Sequence, residues 1–339
     1  MTAYVLGFDV GGTGVRAALG RLTEDGAECL ATYRDPAPIR IGPDGVEPSG
    51  VIDAIRRIIP QLLAHGSVRG RGPVPGTGAD PSDRRAGANS QVAALAIGCT
   101  GAALLGAALR RDFAGALAGV TPTVVLCSDV LTSHIGALGL GGGAVLAAGT
   151  GAVALGSDGH GRWRRTDGWG VLLGDIGGGA WIGRAGIDAA LRAHDGRPGG
   201  SPALLAALTE RFGSPADLVQ SVAGRPDRGA ILASFTPDVA AADDPIANSI
   251  LRTAGHHLAD TLLAAVLPGA PPIASTPGNL FQAGPPLTAA LAERVADQAP
   301  DLQLVTPAGT SLDGAVTLAA AAVRRALPPG AGIELLASP

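Results

Sequence analysis

Two distant stretches of the chain repeat one pattern, and this repetition limits the folds available to it. "VLGFDVGGTGVRAALG" at 5–20 and "VLAAGTGAVALG" at 145–156 each consist of an apolar run, a Gly-Thr-Gly turn, an alternating apolar tail and a final glycine. Such a pattern predicts a β-hairpin. The separation is too large for a solenoid repeat. The sequence therefore predicts two copies of one α/β unit, each presenting a glycine-rich hairpin turn.

The composition of these turns suits the binding of a polyphosphate from two sides. Glycine lets the backbone approach a ligand closely, and backbone N–H groups and threonine hydroxyls donate hydrogen bonds to phosphate oxygens. Asp9 directly precedes the first turn. A carboxylate there suits a hard cation held through water and shared with phosphate. The alternatives are two ordinary tight turns and an aspartate that caps one of them.

The composition excludes several classes of function. The chain has 339 residues, enough for two domains at about 100–200 residues each. Its formal net charge of -4 argues against a nucleic-acid or anionic membrane partner. All 25 Lys+Arg residues are arginine, which excludes a Walker-type phosphate loop and a lysine Schiff base.

The cysteines and the apolar segments predict a reduced, cytoplasmic protein. Cys29, Cys99 and Cys127 form no CxxC motif, so a zinc ribbon or an all-cysteine cluster within one chain is not expected. The N-terminus lacks a secretion signal, and no stretch is long and apolar enough to span a membrane.

The remaining elements alternate between strands and helices. Apolar spacing predicts a helix over 50–64 with Pro60 as a kink, followed by a mobile surface loop over 66–90. Strands end near Cys99 and before Ser128-Asp129. The segment 271–285 is expected to be a strand-poor loop. Further helices are predicted at 183–195, 201–212 with Ser201 as N-cap, 215–224, 246–266, 286–299 and 313–326.

Two further stretches carry candidate chemistry. Asp129 follows an apolar strand, where open α/β sheets place ligand groups, although Ser128 or Asp129 would equally serve as a helix N-cap. "DGWGVLLGDIGGGAWIG" at 167–183 combines Trp169 and Asp175 with many glycines. Trp169 is interpreted either as a platform for sugar stacking or as a core residue.

His134, His256 and His257 lie in predicted helices and are interpreted as structural. His65, His160 and His194 form no metal-ligand spacing.

Taken in order, these motifs resemble a known family. The set Asp9-x-Gly-Gly-Thr, Ser-Asp129, Gly149-Thr150-Gly151 and Gly-Trp169-Gly…Gly-Asp175-x-Gly is similar to the N-acetylglucosamine kinase branch of the actin/hexokinase/Hsp70-like ATPases. That branch is grouped with the ATPases that activate acyl-CoA reductases and dehydratases. The likeness runs from residue 4 to about 326, apart from 66–90.

The resemblance implies an α/β fold of two ribonuclease-H-like domains around a central cleft. Each domain would be a five-stranded mixed sheet with helices. The first would cover 1–132 and the second, with helical insertions, 133–312. The helix at 313–326 would return to the first domain.

The resemblance also implies a nucleotide site for ATP and Mg²⁺. "DVGGT" resembles the first phosphate loop, in which Asp9 would orient Mg²⁺ through water and Gly11, Gly12 and Thr13 would contact phosphates. "GTGAV" resembles the second, with Gly149, Thr150 and Gly151. "TPGNLFQAGPPL" resembles a degraded adenosine motif through Gly278 and Asn279.

The implied activity is an ATP-dependent kinase acting on the 6-hydroxyl of an amino sugar. Asp129 matches the catalytic acid of the family, which accepts the hydroxyl proton. Trp169, Gly170 and Asp175 match sugar-contacting positions, and Thr100 lies in a loop that helps to close the pocket. N-acetylglucosamine is the favoured substrate and glucosamine the alternative.

Three departures from the family pattern affect the expected identity of the sugar more than the expected phosphoryl transfer. Ala152 stands where a serine often follows the second turn, and Ile176 replaces a common acid. The segment at 37–50 has no asparagine to offer to the sugar.

Two other functions compete with the kinase. One is an ATPase that activates an iron–sulfur reductase or dehydratase, in which Cys99 and Cys127 would have to reach a dimer axis. The other is a non-catalytic nucleotide-binding regulator or filament subunit, which the retention of Asp129 disfavours. The expected partners are a sugar and ATP, with a homodimer as the expected assembly and neither nucleic acid nor membrane.

Overall fold

The chain forms two compact units. The computed structural model describes residues 3–11, 14–35, 41–42, 45–46, 48–70, 92–100, 113, 117 and 121–337. The first unit comprises 1–141, 160–162 and 307–339, and the second comprises 142–159 and 163–306.

The first unit is built on a six-stranded mixed sheet. Its strand order is β13-β7-β6-β1-β2-β3, in which β1, β6 and β7 are parallel neighbours and the other pairs are antiparallel. A small two-stranded sheet pairs β4 with β5. The elements of this unit are β1 Tyr4–Gly11, β2 Gly14–Leu22, β3 Ala27–Arg34, β4 Ile41–Gly42, β5 Gly45–Val46, α1 Pro48–Gly70, β6 Val92–Cys99, β7 Thr123–Ser128, α2 Asp129–Leu138, α10 Ser311–Val323 and β13 Glu334–Ala337.

The second unit is built on a five-stranded sheet covered by helices. Its strand order is β10-β9-β8-β11-β12. The elements are β8 Gly143–Ala148, β9 Ala152–Ser157, β10 Trp163–Asp167, α3 Gly179–His194, α4 Pro202–Phe212, α5 Pro215–Val222, α6 Arg228–Ala233, α7 Thr236–Ala241, α8 Pro245–Ala265, β11 Ile273–Ser275, a 3-10 helix Asn279–Ala283, α9 Pro285–Gln298 and β12 Gln303–Val305.

The two sheets repeat one topology. The order β3-β2-β1-β6-β7 of the first unit corresponds to β10-β9-β8-β11-β12 of the second, with antiparallel pairs on one side of the central strand and parallel pairs on the other. Each unit has its own apolar core. The prediction of two copies of one α/β unit is confirmed, and β13 is an addition to the first copy.

The two predicted hairpins are confirmed, and their registers leave the glycines in the turns. In the first hairpin Gly11 pairs with Gly14, and in the second Ala148 pairs with Ala152 across the turn 149–151. Gly14 has a φ of +133°, a conformation that favours glycine.

The six helices predicted from 183 onward are confirmed, with small shifts at their ends. Ser201 is the N-cap of α4 and accepts a hydrogen bond from the Leu204 N–H at 3.1 Å. Other caps are Ser214, Asp244 and Thr310, each of which accepts a backbone N–H. Since these side chains satisfy backbone donors that the helix leaves open, the chain enters each helix at a defined residue.

The structure differs from the sequence predictions in several places, among them the helices α6 and α7, which were not predicted. Helix α1 runs to Gly70, so the first residues of the expected loop at 66–90 are helical, and 71–90 lie outside the described residues. The expected loop at 271–285 contains β11 and the 3-10 helix. The expected domain boundary at 132 falls inside α2, all of which belongs to the first unit, as does α10.

Helices α2 and α10 pack closely through glycines. A Cβ atom on Gly314 would lie 1.9 Å from the Thr132 carbonyl oxygen, and one on Gly136 would lie 1.9 Å from that of Thr310. The Ala308 N–H also donates to the Ala137 carbonyl at 3.1 Å. This crossing fixes the N-terminus of α10 against α2.

Within the described part of the chain, no helix is long and apolar enough to cross a membrane.

We predict that Gly314→Ala lowers the free energy of unfolding by about 3 kcal/mol, because the added methyl group meets backbone atoms that cannot move independently. The midpoint of urea unfolding, followed by circular dichroism, measures this effect. Gly141→Ala is the matched control, since a Cβ atom there meets nothing within 4 Å. Equal midpoints for the two variants would contradict the close packing.

Candidate active site

Polar side chains gather at the carboxyl ends of three neighbouring parallel strands in the first unit. Asp9 lies near the end of β1, Thr100 directly follows β6, and Asp129 directly follows β7. Because β1, β6 and β7 are adjacent and parallel, their carboxyl ends meet at one edge of the sheet. The Thr100 N–H donates to the Val10 carbonyl at 2.9 Å, which fixes the chain where it leaves β6.

The carboxylate of Asp129 is held in a defined orientation. The Thr100 hydroxyl donates to its Oδ2 at 2.6 Å, and the Val130 N–H donates to its Oδ1 at 2.9 Å. Asp129 is the first residue of α2, and the side chain of Ser128, at the N-cap position, makes no capping hydrogen bond. The Asp129 side chain thus satisfies a donor of the first helical turn and also contacts Thr100.

The environment of Asp129 favours its protonated form more than water does. Burial raises the pKa of this carboxyl group, and the negative charge of Asp9 raises it further. The hydrogen bonds from Thr100 and Val130 oppose this increase in pKa. A carboxylate with a raised pKa is a stronger base, so Asp129 is suited to accept a proton.

Asp9 is buried and makes two polar contacts through one oxygen. It is 5% exposed, and its Oδ2 accepts hydrogen bonds from Arg16 and, at 2.7 Å, from the Ser311 hydroxyl. Among the described residues, no hydrogen bond to Oδ1 is found. An oxygen ligand of this kind fits Mg²⁺ held through water, which is the chemistry expected of Asp9.

The first glycine turn is described only in part. Gly11 ends β1, and a Cβ atom there would meet nothing within 4 Å, so packing does not require this glycine. The predicted phosphate contacts Gly12 and Thr13 lie outside the described residues.

The second glycine turn is tied to the start of α3. The Gly149 N–H donates to the Gly151 carbonyl at 2.9 Å. The N–H groups of Gly179 and Ala180 donate to the carbonyls of Gly149 and Thr150, both at 2.8 Å. The turn therefore satisfies donors at the N-terminus of α3, and its conformation is set by that helix.

Asp175 packs against the same turn. A Cβ atom on Gly151 would lie 2.4 Å from the Asp175 Oδ2, so this glycine leaves room for the carboxylate. Burial and the charge of Asp167 raise the pKa of Asp175, while hydrogen bonds from the backbone of Gly170 and Ala152 lower it. Asp175 therefore connects the 167–176 segment to the glycine turn.

Trp169 is an exposed residue beside that carboxylate. It is 71% exposed, so its interpretation as a core residue was wrong. The guanidinium carbon of Arg165 lies 5.7 Å from its ring centroid. Gly170, the next residue, has a φ of +85°.

Gly278 lies against the end of β8, next to the second glycine turn. Its φ is +128°, and a Cβ atom there would lie 2.0 Å from the Ala148 carbonyl oxygen. The Ala148 N–H donates to the Pro277 carbonyl at 3.2 Å. Asn279 is exposed at the start of the 3-10 helix. In the second unit, the structure thus brings together Gly149–Gly151, Asp175 and Gly278.

Sequence reasoning missed three polar residues of these sites. Arg16 lies directly across from Asp9 in the predicted hairpin, so the hairpin register would have indicated it. Asp167 precedes the Gly-Trp-Gly stretch but had no assigned role. Ser311 is 302 residues from its partner Asp9, and no local pattern connects the two.

The cysteines do not form an exposed pair. Cys99 and Cys127 are 1% and 2% exposed, and in the pairing of β6 with β7 Cys127 lies across from Gly98 while Cys99 lies across from Ser128. Because paired residues share a face, the two thiols lie on opposite faces of the sheet. Burial raises the pKa of Cys99 to about 12. No group of three metal-ligating side chains occurs in the described part of the chain.

Comparisons with known proteins agree with this architecture. Residues 6–270 match the model of the BadF/BadG/BcrA/BcrD ATPase family. A "putative N-acetylglucosamine kinase" from Chromobacterium violaceum is 26% identical, with a TM-score of 0.65 over 93% of this chain and 98% of that one. No curated protein matches the sequence.

Two further solved structures share the fold at lower identity. A protein of the same description from Porphyromonas gingivalis is 20% identical, with a TM-score of 0.66 over 92% of this chain and 97% of its own. A ROK family glucokinase from Streptomyces griseus, in complex with glucose and AMPPNP, is 18% identical, with a TM-score of 0.55 over 95% of this chain and 100% of its own. The resemblance and the fold of two ribonuclease-H-like units are confirmed.

We predict that Thr100→Val raises the pKa of Asp129, because the variant removes a hydrogen bond that stabilises the charged carboxylate. Carbon-13 NMR titration of the aspartate carboxyl groups measures this change. Thr100→Ser keeps the hydroxyl and is the matched control. A pKa of Asp129 that falls, or that is equal in the two variants, would refute the role given to Thr100.

Proposed function

Because the chain belongs to the BadF/BadG/BcrA/BcrD ATPase family, we propose that it is an ATP-dependent sugar kinase that phosphorylates the 6-hydroxyl of an amino sugar, with N-acetylglucosamine the favoured substrate. ATP use is what the family implies, and the sugar kinase-like fold favours transfer of the phosphoryl group to a sugar. The choice of sugar rests on the likeness to the C. violaceum protein and on the residues near Trp169.

The observation that carries this proposal is the fixed orientation of the Asp129 carboxylate together with its raised pKa. Its carboxylate is oriented by Thr100 and Val130, and its pKa is raised by burial and by Asp9. A residue that only caps α2 would need neither the Thr100 contact nor the burial. A general base needs both a fixed geometry and a raised pKa.

In the proposed reaction Asp129 accepts the proton of the attacking hydroxyl. The oxygen of the sugar forms a bond to the γ-phosphorus of ATP, the bond to the β-phosphate oxygen breaks, and the proton passes to the Asp129 carboxylate. Phosphoryl transfer has a loose transition state, so positioning and charge neutralisation contribute most of the rate. The proton transfer becomes important late, when the hydroxyl becomes acidic.

We propose that the phosphates of ATP are contacted by residues of two candidate sites, one in each unit. In the first unit, Asp9 would hold Mg²⁺ through water, and the ion would neutralise phosphate charge. Ser311 and Arg16 fix the orientation of that carboxylate. In the second unit, Gly149, Thr150 and Gly151 would donate to phosphate oxygens, with Gly278 and Asn279 near the adenosine.

The sugar would contact the segment that carries Trp169, Gly170 and Asp175. An exposed aromatic ring offers a platform for the apolar face of a hexose, and Asp175 offers a carboxylate for its hydroxyl groups. Ala152 and Ile176 remove polar groups that the family often has. Glucosamine is therefore the alternative substrate.

The iron–sulfur activator is the alternative in a different class. That function requires thiolates that reach a partner subunit, whereas Cys99 and Cys127 are buried on opposite faces of one sheet. This placement favours the kinase. We also propose a cytoplasmic location, which suits the three free cysteines, and a homodimer.

An ATP-consumption assay over a panel of sugars tests the proposal. The purified protein with Mg²⁺ and ATP is incubated with N-acetylglucosamine, glucosamine, glucose or N-acetylmannosamine, and mass spectrometry identifies any sugar phosphate. We expect the highest kcat/KM with N-acetylglucosamine. ATP hydrolysis without any sugar phosphate would refute the kinase and favour the activating ATPase.

We predict that Asp129→Asn lowers kcat about 10²–10⁴-fold, because the amide cannot accept the hydroxyl proton. The affinity for ATP should change little. Steady-state kinetics measure kcat, and equilibrium dialysis measures ATP binding. Asp188→Asn, at an exposed aspartate of α3, is the matched control. Normal turnover by Asp129→Asn would exclude Asp129 as the base.

A further inference from the structure

Asp167 makes contacts that its position at the end of a strand does not require. It is the last residue of β10, and its Oδ1 accepts the Asp175 N–H at 2.8 Å. Its Oδ2 accepts the Ile176 N–H at 3.0 Å. A longer contact of 3.5 Å joins Oδ1 to the Trp169 N–H. One carboxylate thus holds both ends of the segment from 168 to 176, which we call the Trp169 loop.

The backbone adopts an unfavourable conformation just before the Trp169 loop and near its end. Asp167 and Asp175 have φ values of +59° and +56°, in the left-handed region that most side chains avoid. Gly174 packs on the same carboxylate, since a Cβ atom there would lie 2.3 Å from the Asp167 Oδ1. Such conformations persist only when neighbouring contacts determine them.

The position of Asp167 decides where the Asp175 side chain points. The left-handed backbone at Asp175 places its carboxylate on Gly151, where hydrogen bonds from Ala152 and Gly170 also reach it. The N–H of Asp175 belongs to a residue that is only 9% exposed, so water is a poor substitute for Asp167. Loss of the Asp167 carboxylate therefore removes a support that Asp175 and Trp169 share.

We propose that Asp167 is a positioning residue for the sugar site, which holds the Trp169 loop in the conformation that presents Trp169 and Asp175. This inference rests on the proposed function, since the sugar is the ligand that those two residues would contact. Asp167 itself would not contact the substrate. Asp167 holds the Trp169 loop in its binding conformation before the sugar arrives, so sugar binding does not have to order the loop.

Asp175 packs against Gly151, but the second glycine turn should depend less on Asp167 than the Trp169 loop does. The carbonyls of Gly149 and Thr150 are bound by the N-terminus of α3, and neither contact involves the Trp169 loop. Loss of Asp167 should therefore weaken the binding of sugar more than the binding of ATP. A general loss of stability would weaken both.

Two substitutions at Asp167 distinguish the effect of losing the carboxylate from the effect of changing the backbone conformation. Asp167→Gly tolerates a positive φ but removes both acceptor oxygens. Asp167→Asn also tolerates a positive φ and keeps one acceptor oxygen. Asp188→Asn is the control for the loss of an exposed aspartate.

The kinetic test uses Mg²⁺ and ATP with N-acetylglucosamine or glucosamine, whichever gives the wild type the higher kcat/KM. We expect Asp167→Gly to raise the KM for sugar about 10-fold, because the variant loses the hydrogen bonds that two N–H groups donate to the carboxylate. Asp167→Asn should raise this KM less. The KM for ATP should stay within about two-fold. A sugar KM that stays within two-fold in Asp167→Gly, or equal increases in both KM values, would overturn the proposal.

Hydrogen exchange provides a readout that does not need activity. In the ligand-free protein, we expect the amides of Asp175 and Ile176 to lose protection in the order wild type, Asp167→Asn, Asp167→Gly, while amides in α8 keep theirs. Unchanged protection in Asp167→Gly would overturn the proposal. If the wild type phosphorylates no sugar, the kinase proposal fails, and this exchange comparison still decides whether Asp167 holds the loop.

Discussion

Parallel pairing of β1, β6 and β7 is the constraint on which the site of the first unit depends. Because neighbouring parallel strands end at the same edge, residues as distant in sequence as Asp9, Thr100 and Asp129 meet there. The glycine contact between α2 and α10 then adds Ser311 to this edge. The pKa of Asp129 follows from the pairing, since burial and the charge of Asp9 both act through it.

In the second unit, several glycines are needed because their missing side chains leave space for neighbouring carboxylates and carbonyls. Gly151 leaves space for the Asp175 carboxylate, and Gly174 leaves space for that of Asp167. Gly278 in the same way leaves space for the Ala148 carbonyl. These contacts join the turn, the Trp169 loop and the segment at 278 into one packed set. The glycine density that made 167–183 unusual in sequence thus has a packing cause.

Local patterns predicted the hairpins, six of the eight described α-helices from α3 onward and the Ser201 cap, since each depends on residues that are neighbours in sequence. The short helices α6 and α7 were not predicted. The short strands β11 and β12 were missed because three residues give too little periodicity. The contact of Ser311 with Asp9 depends on the packing of α10 and has no local signal. The role of Asp167 depends on a positive φ, which the sequence permits at aspartate but does not require.

In a chain without lysine, the cation that contacts the buried Asp9 carboxylate is the Arg16 guanidinium. Arginine keeps its charge at any physiological pH and carries five N–H donors, whereas a carboxylate oxygen uses only one or two of them. Half of the Arg16 side chain is exposed, and the hydrogen bonds to Asp9 and Ser311 both come from one nitrogen, Nη2. In the proposed reaction, one guanidinium can therefore orient Asp9 and also neutralise phosphate charge.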